Sequence, residues 1–204
     1  SRYMADAEEN FKRGSITSIA LESWTVALDL TIANLSPGVG ASTLPQLFRR
    51  LSTNGLETWA WMTNMADTGY AFNCTIMSDL LHDDNVDVFL QRILVKMKSI
   101  PNITGLVLDL EPHEDDTCTA EIGMSYANFL HRLSLQLAAQ EQKLNVYDCM
   151  WQYHGVKTFF NYDADGISAG KVVVGITYDG KGNFSGTKAF NEWKDRFVWL
   201  KQKG

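Results

Sequence analysis

Two carboxylates, Asp109 and Glu111, stand two residues apart at the end of an otherwise apolar run, Ile-Thr-Gly-Leu-Val-Leu-Asp-Leu-Glu-Pro, over residues 103–112. Strand side chains alternate between faces, so Leu106, Leu108 and Leu110 share one face and Gly105, Val107, Asp109 and Glu111 share the other. Residues two apart on a strand are roughly 6.5 Å apart at Cα, which lets their carboxyl groups approach and share a proton. The expected division is Glu111 as the protonated acid and Asp109 as its charged neighbour. Such a pair suits protonation of a glycosidic oxygen. An arbitrary Asp-X-Glu at a strand end is more often simply solvated. Here the apolar run and the shared face favour chemistry.

Other candidates are weaker. His113, Glu114, Asp115 and Asp116 offer oxygens and an imidazole for a hard cation, but their spacing matches no metal motif and reads as a polar loop rim. His82, His131 and His154 are isolated, and His131 is expected on a helix surface. No Ser/His/Asp elbow and no cysteine nucleophile is apparent. Trp59 and Trp61 share a face of one predicted strand, and Trp151 and Tyr153 follow another. A strand tryptophan usually packs a core. Trp61 and Trp151 are nonetheless candidate platforms for the apolar face of a sugar.

The elements that would position these groups alternate. Ile16–Trp24 and Val26–Ile32 read as strands, Thr43–Leu51 as a short helix, and Leu56–Met62 as a Trp-rich strand. Val86, Phe89, Leu90, Ile93, Leu94, Met97 and Ile100 mark one face of a longer helix, with Asp83, Asp84 and Asn85 at its start and Pro101 at its end. Ile103–Leu110 reads as a strand buried on both faces. A helix follows through Tyr126, Phe129, Leu130, Leu133 and Leu137. Strands are expected over Leu144–Cys149 and Lys171–Thr177, then a closing helix over Phe190–Leu200. Residues 155–170 give no clear signal.

Alternating strands and helices imply parallel strands joined by right-handed crossovers, in one α/β domain over residues 1–204. An open doubly wound sheet and a TIM-type (β/α) barrel both satisfy this. The absence of a Gly-rich phosphate turn takes weight from the open sheet. About six strands are legible, whereas a full barrel takes about 250 residues. The expectation is an incomplete barrel of about six of eight units, completed by another segment or chain, with its chemistry at the C-terminal ends of the strands.

The 204 residues carry a net charge of −6 and show no basic stripe, which argues against a nucleic-acid partner. No apolar run is long enough to span a membrane. Ser1-Arg2-Tyr3-Met4 is not a signal peptide, so any signal has been removed or the chain begins within a larger protein. Four Asn-X-Ser/Thr sequons, at Asn34, Asn73, Asn102 and Asn183, exceed the one or two expected by chance and lean towards a secreted or lysosomal glycoprotein. Pro37 makes Asn34 a poor acceptor. Cys74, Cys118 and Cys149 fit either one disulfide with a leftover thiol or three buried thiols.

These residues resemble glycoside hydrolase family 18, the chitinase-like family. Its strand motif, Asp-Gly-X-Asp-X-Asp-X-Glu, aligns with Thr104-Gly105-Leu106-Val107-Leu108-Asp109-Leu110-Glu111. The stretch from Leu80 through Asn85 to Ile100 is similar to the helix leading into that strand, and Gly55-Leu56 to the entry of the third strand. Val174-Gly175-Ile176-Thr177-Tyr178-Asp179-Gly180 is similar to a later Met-Thr-Tyr-Asp strand end. The similarity spans residues 50–185. It implies that Glu111 protonates the leaving oxygen and that the substrate's own acetamido oxygen attacks the anomeric carbon. Asp109 would orient that acetamido group, Tyr178 would hydrogen-bond it, and Asp179 would line the sugar site. No cofactor is implied. Thr104 and Val107 replace the first two acids of the motif, and Leu110 replaces its usual Trp. The inner acid normally relays charge behind its neighbour, so Val107 bears on rate and pH optimum.

Three functions compete on these grounds. One is a secreted glycosidase acting on N-acetylglucosamine-containing glycans. The second is a non-catalytic glycan-binding or assembly module of the same fold. The third is a barrel phosphodiesterase using a divalent ion at Asp109, Glu111 and His113.

Overall fold

The structure is a computed structural model, and it describes residues 2–27, 29–35, 43–66, 69–70, 74–110, 119–149 and 172–177. Helix α1 spans Arg2–Lys12, strand β1 Ser18–Val26 and strand β2 Ile32–Asn34. Helix α2 (Thr43–Thr53) leads into β3 (Glu57–Thr63), followed by a short hairpin of β4 (Met65–Ala66) and β5 (Gly69–Tyr70). Helices α3 (Cys74–Leu80) and α4 (Asp83–Lys98) precede β6 (Gly105–Asp109). Helix α5 (Ala120–Ala138), β7 (Lys143–Cys149) and β8 (Val172–Thr177) follow.

The main sheet has six strands in the order β2-β1-β3-β6-β7-β8. From β1 to β8 every pairing is parallel, and each strand lies beside the next one of the sheet in sequence. Across these parallel strands the order never reverses, and β2 joins β1 only as an antiparallel edge. A doubly wound sheet reverses at a switch point, so the singly wound order decides for a barrel. Among the described residues the sheet is open between β2 and β8, as an incomplete barrel requires.

The second strand differs from expectation. The extended run breaks after Val26, where Asp29 Oδ1 accepts from the Thr31 backbone N–H at 3.0 Å and from its hydroxyl at 2.6 Å. Leu30 is left-handed at φ 61°. This turn reverses the chain, and β2 pairs antiparallel with β1, Val26 against Ile32 and Trp24 against Asn34. Arg92 of α4 anchors it by donating to the Leu30 carbonyl at 2.6 Å.

The core lies between the sheet and its helices. Leu106, Leu108 and Leu110 pack there with Ala60, Met62, Leu144 and Val146 from neighbouring strands. Against them sit Phe48 of α2, Phe89 and Ile93 of α4, and Phe129 and Leu133 of α5. Phe89 and Phe129 stack with centroids 5.6 Å apart, which joins α4 to α5. Burying each such ring contributes about 2 kcal/mol. The long helix starts at Asp83 with His82 as its N-cap and no side-chain cap bond, and Asp83 and Asp84 place negative charge in its first turn. Helix α5 is capped by Thr119, whose hydroxyl accepts from the Ile122 N–H.

Helices α1 and α3 were not expected from the sequence. The first docks on α2 through the Glu8 carboxylate, which receives the Arg50 guanidinium at 2.5 and 2.7 Å and the Asn54 amide at 3.1 Å. Phe11 joins a small cluster with Leu51 and Leu56. Gly55, at φ 90°, makes room for that ring; a Cβ there would stand 3.2 Å from it.

Candidate active site

The site is built on the two central strands. Parallel register sets Trp59 beside Gly105, Trp61 beside Val107 and Thr63 beside Asp109. On the other side Gly105 meets Lys143 and Val107 meets Asn145. Alternation sends Leu106 and Leu108 into the helix-packed core, so Gly105, Val107 and Asp109 look towards the barrel interior. Gly105 is a steric requirement. A Cβ there would lie 2.2 Å from the Lys143 carbonyl oxygen and 2.8 Å from Cζ3 of Trp59. Only glycine lets β7 and the Trp59 ring close over the start of β6.

Asp109 ends the strand at its C-terminal edge, where barrel chemistry resides. It is 8% exposed and adjoins Leu110, which is fully buried. The Trp61 indole N–H donates to Asp109 Oδ2 at 3.1 Å. A buried carboxylate is costly unless hydrogen bonds hold its charge, and an indole N–H from the neighbouring strand does that without adding a charge of its own. Trp61 remains half-exposed, so one side chain can bond through its polar edge and still offer ring surface. The arrangement suits holding one carboxylate in a fixed orientation on a rigid strand.

Of the residues singled out in the sequence, Asp109 and Trp61 are brought together. Glu111, Tyr178, Asp179, Trp151, Asn73 and Asn183 lie outside the described residues, as do His113, His154 and Cys118. Asn34 sits half-buried on β2 opposite Trp24. Asn102 is exposed in the turn before β6 and is left-handed at φ 60°. Cys74 is disulfide-bonded, which removes the reading of three free thiols. His131 is half-buried rather than on the surface, and its buried Nδ1 has no hydrogen-bond partner among the described residues. No group of three metal-ligating side chains occurs among the described residues.

Asn145 escaped the sequence reading because one polar residue in Leu-Asn-Val-Tyr looks like ordinary alternation. Its register beside Val107 puts it on the interior face, below Asp109, with Oδ1 buried and no partner among the described residues. The signal that could have found it is the parity of β7, counted from Leu144 and Val146 in the core.

No family model matches the chain, and no curated protein matches it. Solved structures do. A chitinase from Chromobacterium violaceum superposes with a TM-score of 0.71 over 97% of this chain and 60% of its own, at 14% identity. The spore cortex-lytic enzyme SleL of Bacillus megaterium superposes at 0.68 over 98% of this chain and 44% of its own, at 18% identity. The Group IV chitinase of Ostrinia furnacalis, solved in complex with allosamidin, gives 0.62 over 83% of this chain and 45% of its own, at 20% identity. At these identities the likeness establishes the fold: an α/β chain with the architecture of the chitinase-like (β/α) barrel. The chain spans between 44% and 60% of the length of these three structures. Within that architecture, the strand that ends in Asp109 is the chain's candidate catalytic strand.

Proposed function

We propose that this chain carries the catalytic strand of a secreted, chitinase-like glycoside hydrolase acting on N-acetylglucosamine-containing glycans. The observation that carries the reading is Asp109: a nearly buried carboxylate at the C-terminal end of an all-buried strand, oriented by Trp61. In this mechanism Glu111 protonates the glycosidic oxygen. The acetamido oxygen of the substrate attacks the anomeric carbon, and Asp109 orients the acetamido group and balances its developing positive charge. Tyr178 holds the acetamido oxygen, while Asp179, Trp61 and Trp151 line the sugar site. The fold neighbours support this reading, since chitinases and cortex-lytic enzymes share the architecture.

The test is release of fluorophore from an aryl chitobioside across pH 4 to 8, with the wild type beside Glu111→Gln. Glu111→Gln should lower turnover by at least about a hundredfold with binding retained, which is the usual contribution of a general acid. Turnover that survives the exchange removes Glu111 from the role.

A second reading is a glycan-binding module without hydrolysis. Val107 favours it: this residue is 2% exposed and apolar directly beneath Asp109, where the resembled motif has an acid. It would show as calorimetric binding of chitotriose by a wild type that releases no fluorophore.

Passage through the secretory pathway belongs to the same proposal. A disulfide at Cys74 is typical of oxidising compartments, and the exposed Asn102-Ile103-Thr104 sequon offers an acceptor there. No described helix is long and apolar enough to cross a membrane.

A further inference from the structure

We infer that Trp61 is a positioning residue for Asp109, its indole N–H holding one carboxylate oxygen from the neighbouring strand at the level above Val107. The inference rests on the glycosidase reading above and deepens it.

Asp109 stands on β6 and is 8% exposed. Two residues down on the same face is Val107, 2% exposed and without a donor or acceptor. A second carboxyl at that position could share a proton with Asp109 and hold it upright. Valine can only exclude water.

The neighbouring strand supplies a donor that Val107 cannot. Trp61 is in register with Val107, one step below the level of Thr63 and Asp109. A short side chain at position 61 would end beside Val107. An indole is long enough to reach up the sheet, and its Nε1–H meets Asp109 Oδ2 at 3.1 Å. Indole nitrogen is a donor only, so the bond has one polarity: it supports the oxygen as an acceptor. The ring is rigid and half-exposed, and its neighbour Trp59 packs within 2.8 Å of where a Gly105 side chain would begin. The pair of tryptophans therefore forms a wall along the interior face. One of them, Trp61, turns its polar edge to the carboxylate.

The consequence is specific to the step that Asp109 serves. A fixed carboxylate orients the substrate's acetamido group for attack. That orientation matters in the transition state more than in ground-state binding, so its loss should appear in kcat rather than in KM. Chemistry does not pass through Trp61. It acts through Asp109.

The test compares the wild type with two replacements at 61. Trp61→Phe keeps an aromatic face and removes the donor. Benzothienylalanine at 61 keeps the full shape of the indole and replaces N–H by sulfur, which covers the case in which the smaller ring disturbs the fold. With an aryl chitobioside, both should lower kcat by about tenfold or more, as loss of one hydrogen bond to a charged group implies. KM for the sulfur isostere should stay within about twofold of the wild type, because its stacking face is intact. An unchanged kcat in the isostere overturns the inference.

A second measurement does not depend on activity. The indole N–H resonance of Trp61 should shift between the wild type and Asp109→Asn, because the acceptor changes from charged to neutral. An unshifted resonance overturns the inference whatever the activity. A shifted resonance in a wild type that hydrolyses nothing overturns the glycosidase reading and leaves the hydrogen bond standing.

Discussion

At the scale of single residues, the candidate strand depends on what is missing as much as on what is present. Gly105 contributes by having no side chain. A Cβ would meet backbone of β7 at 2.2 Å, and backbone cannot swing aside as a flexible side chain would. Gly105→Ala should therefore destabilise the fold by about 3 kcal/mol, at the upper end of the usual cost of overpacking. Chemical denaturation of the wild type and the variant would measure it. A change below about 0.5 kcal/mol, typical of harmless surface exchanges, would mean that the two strands separate easily there. Asp109 and the glycine were legible from the sequence because alternation along one apolar strand places them on a single face. The Trp61–Asp109 bond was not. It depends on the register of two strands whose bonded residues are 48 positions apart in sequence, and no local pattern carries that. Trp61 was expected as a sugar platform, and its polar edge has a use that composition does not reveal.

At the scale of elements, patterning worked where one face meets the core. The spacing of Phe89, Leu90, Ile93 and Met97 marked α4, and these residues are buried as the period requires. Helix α1 was missed because its stripe is thin among the described side chains: Ala7 is buried and Phe11 partly so, and Glu8 adds an ionic attachment. The antiparallel turn into β2 was missed because it is made by Asp29 and a left-handed Leu30, without the Gly or Asn that usually marks such a turn. The ionic attachment of α1 makes it sensitive to acid. The Arg50 hydrogen bond to Glu8 holds the Glu8 carboxyl below its ordinary range. A depressed carboxyl contributes stability above the pKa of the unfolded chain, and that contribution is lost as pH falls through the folded value. Helix α1 should thus loosen from α2 below about pH 4, before the sheet unfolds. Amide exchange along Arg2–Lys12, followed from pH 6 down to pH 3, would show it. Relative to the intrinsic exchange rate at each pH, Glu8→Gln should show nearly the same protection at both ends of that range. If the wild type shows no acid-dependent step in α1 either, the Glu8–Arg50 pair does not anchor the helix.

At the scale of the molecule, the sheet has two ends with different uses. Asp109 stands at the C-terminal edge, and Asn102 lies in the turn that feeds the opposite edge of the same strand. Strand β6 has 5 residues, so at about 3.3 Å per residue the two edges lie roughly 16 Å apart. The sequons separate on this geometry. Asn34 is half-buried in a strand pair, whereas Asn102 is exposed in a left-handed turn that asparagine tolerates well. A glycan on Asn102 would cover the N-terminal face and leave the candidate site open. Produced in a secreting eukaryotic cell, the chain should therefore lose mass on treatment with a peptide-N-glycosidase, and part of that loss should vanish in Asn102→Gly. Glycine keeps the left-handed turn, so the fold should persist. Hydrolysis of an aryl chitobioside, if the catalytic reading holds, should be the same with and without this glycan. A chain that carries no glycan at Asn102 in such cells would weaken the secretory assignment, which would then rest on the Cys74 disulfide. A glycan that suppresses hydrolysis would mean that the substrate reaches beyond the edge of the sheet where Asp109 stands.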